Sequence, residues 1–388
     1  MTMRHFDPPY AGRCVPGAGL EEDAVAVAGR RAVLRGFTGF AAGAGLAAAW
    51  PAGASAQDEF DRAALKGAGS TFVYPLVVRW VKEYRHHLAG GIRFTASNAG
   101  LDDDMNGVAL DYEPVGSLAG LQRLKAGAVD FALSEMPLPP AELSRGGLIQ
   151  FPVVLGAVAL AANLPAIAPG RLQLGLPLLA DILLGRVTRW DDPAIRALNP
   201  GLALPDAAIG TVHRRDGSGT TFTLTRTLAA LVPEWRERVG ADLLVKWPVG
   251  SGVRGSRGMA EALRRTPHAL GYLDDVQARE AGLVVASLRN AAGRFVAPSP
   301  SAVAAAALSS SASDGFQGVA IDPSGEGAYP LIASVFGLMS DRLQNDRQGR
   351  TRAFFDWSLS EGRASAERLG YVPLPEPVLA EVRRKLAR

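Results

Sequence analysis

Cysteine is almost absent from this sequence. The 388 residues hold a single one, Cys14, close to the N-terminus. Disulfides, thiolate metal sites and cysteine nucleophiles are therefore excluded from the body of the chain. A strong excess of one charge is missing too. The net charge of +3 gives no reason to expect nucleic acid or a membrane surface as partner. The histidines of the main body, His86, His87, His213 and His268, do not fall at metal-ligand spacing. Neither a Gly-x-Ser-x-Gly elbow nor a P-loop lysine occurs, so hydrolase and nucleotide-binding readings lack their markers. The near-continuous apolar run Phe151 to Ala162 is too short to cross a bilayer and suits a strand buried on both faces, as in a parallel sheet. No cofactor, metal or nucleic acid is expected.

The N-terminus does carry a signal. Arg30-Arg31, a weakly apolar Ala/Gly-rich stretch from Gly36 to Ala49, and Ala54-Ser55-Ala56 follow one another. A basic start, an apolar middle and an Ala-x-Ala end describe a secretory leader over 1–56, of a twin-arginine-like kind. Mature protein is then expected from about Gln57, exported and soluble in the periplasm.

The body is organised around His213 to Phe222, where charge, glycines and hydroxyls lead into Leu224, Leu228 and Leu231 at helical spacing. Glycine lets a ligand approach the backbone, and Ser or Thr caps the following helix, whose N-terminal N–H groups favour an anion. Two echoes occur. Gly67-Ala68-Gly69-Ser70-Thr71-Phe72 opens a helix through Leu76, Val77, Trp80, Val81 and Tyr84, and Gly116-Ser117-Leu118-Ala119-Gly120 opens another through Leu121 and Leu124. The short buried strand Val129 to Leu133 ends in Ser134-Glu135, and ligands of open α/β sheets sit beyond the carboxyl ends of strands. The run Asp102 to Asp104 lacks the spacing of a calcium loop and reads as part of a solvated insertion over 90–111. Further strands and helices alternate to the C-terminus, which predicts an α/β fold with a mainly parallel sheet.

Several segments then fall into a known order. They include Gly67 to Phe72, Asp130 to Leu138, Phe151 to Val158, Leu184 to Ile195, Arg214 to Phe222, Lys246 to Gly250, Ala269 to Tyr272 and Phe354 to Trp357. With these the chain resembles the periplasmic phosphate-binding proteins that feed the high-affinity phosphate ABC transporter. The resemblance implies a two-lobed type II binding protein with a mainly parallel sheet in each lobe and two crossover segments. Lobe I would take 57–155 and 298–388, and lobe II 156–297. Inorganic phosphate would be the ligand and the transporter's membrane permease subunits the partner, with the chain acting as a monomer and not as an enzyme. Another oxyanion, or a surface-retained adhesion role, would be the alternatives.

Carried over by position, Thr71, Phe72, Ser117, Glu135, Arg214, Ser218, Gly219 and Thr220 are the expected ligand-binding residues. Asp216 would orient Arg214 through a charge-assisted pair. Three departures stand out: Glu135 where the family has Asp, Arg215 where a small residue is usual, and Gly-Ser-Leu-Ala-Gly in place of Gly-Ser-Ser-Gly-Gly at 116–120. Ser97 to Gly100 competes with Ser117 for the serine role. The carboxylate has a chemical logic of its own. Phosphate near neutral pH keeps a P–OH that can donate to an acceptor-only group, and sulfate has none.

Overall fold

The computed structural model describes residues 65–88, 110–308, 321, 323–341 and 346–387, all within one compact unit, Ala54–Arg388. The leader over 1–56, the run Asp102 to Asp104 and the Ser97 to Gly100 segment lie outside the described residues. Strands are β1 (Leu65–Gly69), β2 (Leu110–Glu113), β3 (Phe131–Ser134), β4 (Leu148–Ala162), β5 (Gln173–Gly175), β6 (Gly210–Arg214) and β7 (Ser251–Val253). They continue with β8 (Ala269–Asp274), β9 (Val284–Val285), β10 (Ser287–Arg289), β11 (Phe295–Val296), β12 (Ile332–Ser340) and β13 (Val372–Pro373).

The large sheet runs in the order β2-β1-β3-β12-β4-β8-β6-β7. Its two flanks are parallel: β2-β1-β3 on one side and β8-β6-β7 on the other. The centre differs from the expectation of parallel pairing. The apolar run expected to be a parallel strand is the fifteen-residue β4, antiparallel to β12 over Leu148 to Ala157 and to β8 over Val158 to Ala162. Burial along its whole length has another cause here, because β4 passes from one flank to the other and is covered throughout. The insertion also ends earlier than the sequence suggests. Leu110 and Asp111 already belong to β2, whose Leu110 and Tyr112 face inward while Asp111 and Glu113 face solvent. Four residues carry too little alternation to stand out.

The parallel strands share one feature that sets up everything below. At its carboxyl end, β1 leads into the helix Tyr74–Leu88, β2 into Ser117–Lys125, β6 into Gly219–Leu231 and β7 into Gly255–Arg265. The first of these helices buries Leu76, Val77, Trp80 and Tyr84 of the face expected from their spacing, with Val81 half-buried at its edge. Beneath it, Phe131, Phe151, Phe354 and Phe355 form an aromatic core, with the Phe151 and Phe355 rings edge-to-face at 4.9 Å. Each such fully buried ring contributes about 1.5–3 kcal/mol of transfer free energy, which fixes the strand ends that present the site.

The Ser117 helix sits against β1 so closely that only glycine fits at the contact. A Cβ on Gly120 would lie 2.4 Å from the Gly69 Cα and 2.8 Å from the Ala68 carbonyl oxygen. Gly120→Ala should therefore lower the unfolding free energy by about 1–3 kcal/mol, measured by urea denaturation. Gly349→Ala is the control. It lies inside the helix Asp346–Leu359 with nothing within 4 Å of its added Cβ, and a gain of up to about 1 kcal/mol is expected. Equal effects of the two changes would contradict the close seating of the helix.

Candidate functional site

The site is built where the strand ends converge on one carboxylate. Gly69 ends β1 at φ +132°, a backbone conformation glycine adopts without strain. The Ser70 N–H donates to the Leu133 carbonyl over 2.8 Å and holds the turn on β3. The Ser70 Oγ accepts the N–H groups of Phe72 at 3.1 Å and Val73 at 3.4 Å. With its lone pairs turned to the backbone, its proton goes to Glu135 Oε1. Ser117 repeats the arrangement. Its Oγ accepts the Gly219 N–H at 3.1 Å and donates to Glu135 Oε2 at 3.0 Å. Both carboxylate oxygens of Glu135 thus accept a serine proton. A Cβ on Gly219 would stand 1.7 Å from Glu135 Oε2, so glycine is required there for the carboxylate to rest against the start of a helix.

The third loop supplies the cation. Arg214, at the end of β6 and 2% exposed, donates from Nε to Asp216 Oδ1 at 2.7 Å and from Nη2 to Asp216 Oδ2. This leaves the Nη1 side of the guanidinium fork for another acceptor. Asp216 Oδ1 also accepts the Gly255 N–H at 3.1 Å. The Arg214 N–H donates to the Tyr272 hydroxyl at 3.0 Å, which lies 2.7 Å from Thr221 Oγ1. Ser218 caps the helix by accepting the Thr221 N–H at 3.2 Å, and Thr220 is buried in the first turn.

Burial dominates the electrostatics. At 3% exposure, desolvation pushes the Glu135 carboxyl above its ordinary range; the Ser70 and Ser117 protons and the Arg214 charge pull back only part of the way. Burial also raises Asp216, but the bonds and charge of Arg214 outweigh it and hold the carboxyl below its usual value. Tyr112, which donates to the Ser70 carbonyl at 2.9 Å, is pushed well up by burial and by the nearby Glu135 charge.

The residues expected from the sequence are placed as follows. Ser117, Glu135 and Gly219 touch one another, and Ser218 and Thr220 sit in the same helix start. Arg214 and Asp216 pair in the buried strand-end loop beside them. Phe72 is fully buried, its ring edge-on to Tyr371 and its N–H on Ser70 Oγ. The Thr71 side chain turns toward Ser256, with the two hydroxyl oxygens 2.9 Å apart. Arg215 is exposed. His213 stacks on Trp247 at 5.0 Å and its Nδ1 lies 3.1 Å from the Arg214 carbonyl. Nothing in the sequence singles out Ser70, Tyr272, Gly255 or Ser256. Ser70 lies inside the first glycine loop, where two adjacent hydroxyls compete for attention, and Ser256 sits in a glycine-punctuated segment with no marker of its own.

A buried carboxyl that keeps its proton to higher pH in the folded state than in the unfolded one makes stability fall as pH rises from about the ordinary value of 4.5 through the raised folded value. Glu135→Gln in ligand-free protein should flatten that decline and gain stability relative to the wild type on going from pH 4 to pH 8. Urea titrations across that range provide the check. A wild type and a variant with parallel pH profiles would contradict the raised carboxyl.

Comparison with known proteins places this geometry in a family. Residues 53–361 match the family model of the PBP superfamily domain. The phosphate-binding protein PstS of Xylella fastidiosa is 38% identical, the match covering 82% of this chain and 83% of that protein. The protein of the same name from Pasteurella multocida is 36% identical over 82% of this chain and 88% of its own length. Among solved structures, the high affinity periplasmic phosphate-binding protein PfluDING, bound with phosphate, superposes with a TM-score of 0.61 at 22% identity, covering 82% of this chain and 93% of that one. With a mixed α/β sheet and loops converging from the strand ends, this chain belongs to the family of PstS phosphate-binding proteins within the PBP superfamily.

Proposed function

We propose that this chain captures inorganic phosphate in a cleft between two lobes and delivers it to the membrane permease of a phosphate ABC transporter. One observation carries the reading. A buried carboxyl, Glu135, lies among three helix starts close to a guanidinium already neutralised by Asp216. The Arg214–Asp216 pair adds no net charge, so a fully deprotonated anion would meet Glu135 with little compensation. An anion that also carries a proton resolves this, because its O–H donates to the carboxylate while its other oxygens take N–H and hydroxyl donors. Phosphate near neutral pH is such a ligand. Sulfate is not, and leaving the carboxylate against an unprotonated oxygen costs about 1–3 kcal/mol or more.

In this reading Thr71, Ser117, Ser218, Gly219, Thr220 and Arg214 surround the anion, the Phe72 N–H joins the cradle by turning from Ser70 Oγ, and Glu135 accepts the ligand's proton. The relatives named phosphate-binding proteins support it. Lobes of 57–155 with 298–388 and of 156–297 are supported by β4, which exchanges β12 for β8 at Val158, beside the boundary. We take the protein to act in the periplasm as a monomer that binds and releases without turnover. Among the described residues no helix is long and apolar enough to cross a membrane.

Calorimetry of protein stripped of ligand tests the proposal. Phosphate should bind at one site per chain, with sulfate weaker by about tenfold to a hundredfold or more. Arg214→Ala, which also strands Asp216 in a buried site, should weaken phosphate by at least about a hundredfold. Sulfate and phosphate binding on equal terms would overturn the reading.

A further inference from the structure

Thr71 and Ser256 make a contact that the phosphate reading leaves unexplained. Both side chains are buried, at 8% and 1% exposure, so no bulk water competes for them. The Ser256 N–H donates to Thr71 Oγ1 over 3.1 Å, and the two hydroxyl oxygens are 2.9 Å apart. Ser256 belongs to the first turn of Gly255–Arg265 and Thr71 to the turn after β1, so 185 residues of chain separate them.

A threonine hydroxyl has one proton and two lone pairs. The Ser256 N–H occupies one lone pair. The shared hydroxyl contact admits two arrangements. Either Thr71 gives its proton to Ser256, and has nothing left to offer an anion, or Ser256 gives its own proton to Thr71. In the second case both lone pairs of Thr71 are filled and its proton is forced away from Ser256. A hydroxyl that accepts twice is also a stronger donor, because the bonds polarise one another. Two other hydroxyls of the site already follow this plan: backbone N–H groups sit on Ser70 Oγ and Ser117 Oγ, and each proton is directed to the Glu135 carboxylate. The negative ligand selects the second arrangement at Thr71 for the same reason.

Resting on the phosphate reading above, we infer that Ser256 is a positioning residue that turns Thr71 into an obligate donor toward the bound phosphate. Its placement couples the two anion-facing groups. Neighbouring Gly255 donates to Asp216, the carboxylate that orients Arg214, so one helix start sets the direction of both the Thr71 proton and the guanidinium. Gln277 Nε2 completes the restraint by donating to the Thr71 carbonyl at 3.2 Å.

The test is a double-mutant cycle on phosphate affinity by calorimetry, with thermal midpoints recorded alongside. Ser256→Ala should weaken binding by about threefold to tenfold, as expected for one lost hydrogen bond. Thr71→Val should weaken it at least as much, and the double variant should be no worse than Thr71→Val alone. Ser256→Thr, which keeps the hydroxyl, should bind within about twofold of wild type. If Ser256→Ala does not fold, Ser256→Cys keeps the volume with a weak donor and should show the same loss. Wild-type affinity in folded Ser256→Ala or Ser256→Cys, or additive losses in the cycle, would overturn the assignment. A wild type that binds no phosphate would overturn the functional reading and this assignment with it, a result distinct from the other two.

Discussion

The structure depends on a buried carboxylate and the protons aimed at it. Glu135 accepts from Ser70 through one oxygen and from Ser117 through the other, and it rests against the glycine that starts the helix after the third loop. Hydrogen bonds to a charged group are worth about 1.5–3 kcal/mol each, and a buried carboxylate without them would cost several. The three loops are therefore drawn to one point by an acceptor, not only by the packing beneath them. Each serine can donate because a backbone N–H already holds its oxygen, so the local helix starts dictate where the protons go. Sequence-local turns set the hydroxyl directions, those directions hold the carboxylate, and in the proposed reading the carboxylate selects the anion that enters.

The cation side obeys a complementary constraint. Arg214 is almost fully buried and is held on one edge of its fork by Asp216, itself fixed by the Gly255 N–H. A buried guanidinium without a partner would be strongly destabilising; with Asp216 on one edge it is tolerated, and its other edge stays available to an acceptor. The pair is neutral, so attraction for an anion comes from oriented dipoles and the free edge of the fork more than from net charge. That favours discrimination by hydrogen-bond pattern over discrimination by charge.

The fold was partly legible in the sequence, and what escaped it was non-local. Leu76, Val77, Trp80 and Tyr84 announce their helix through spacing alone, and Ser218 announces its cap. The run Phe151 to Ala162 reads correctly as a buried strand, but its direction depends on β12, which arrives from far along the chain to lie antiparallel to it. No local pattern encodes that. In the site, Glu135 is legible as a carboxylate at a strand end, and Arg214 with Asp216 as a pair two residues apart. Ser70 is hidden beside Thr71, because which of two adjacent hydroxyls turns inward is settled by the path of the turn. Ser256 is invisible for a different reason: its partner is brought to it only by the folding of strands from opposite flanks of the sheet.

Glutamate at position 135, where the resemblance implies aspartate, is the feature that gives the most direct test. Glu135 takes the protons of both Ser70 and Ser117, and in the proposed reading an incoming phosphate has to win at least the Ser117 proton back. The decisive measurement is phosphate affinity of Glu135→Asp against wild type by calorimetry at neutral pH. Tighter binding by the variant is expected, by about threefold to tenfold for one hydroxyl returned to the anion, with discrimination against sulfate retained. Equal or weaker phosphate binding by Glu135→Asp would contradict it.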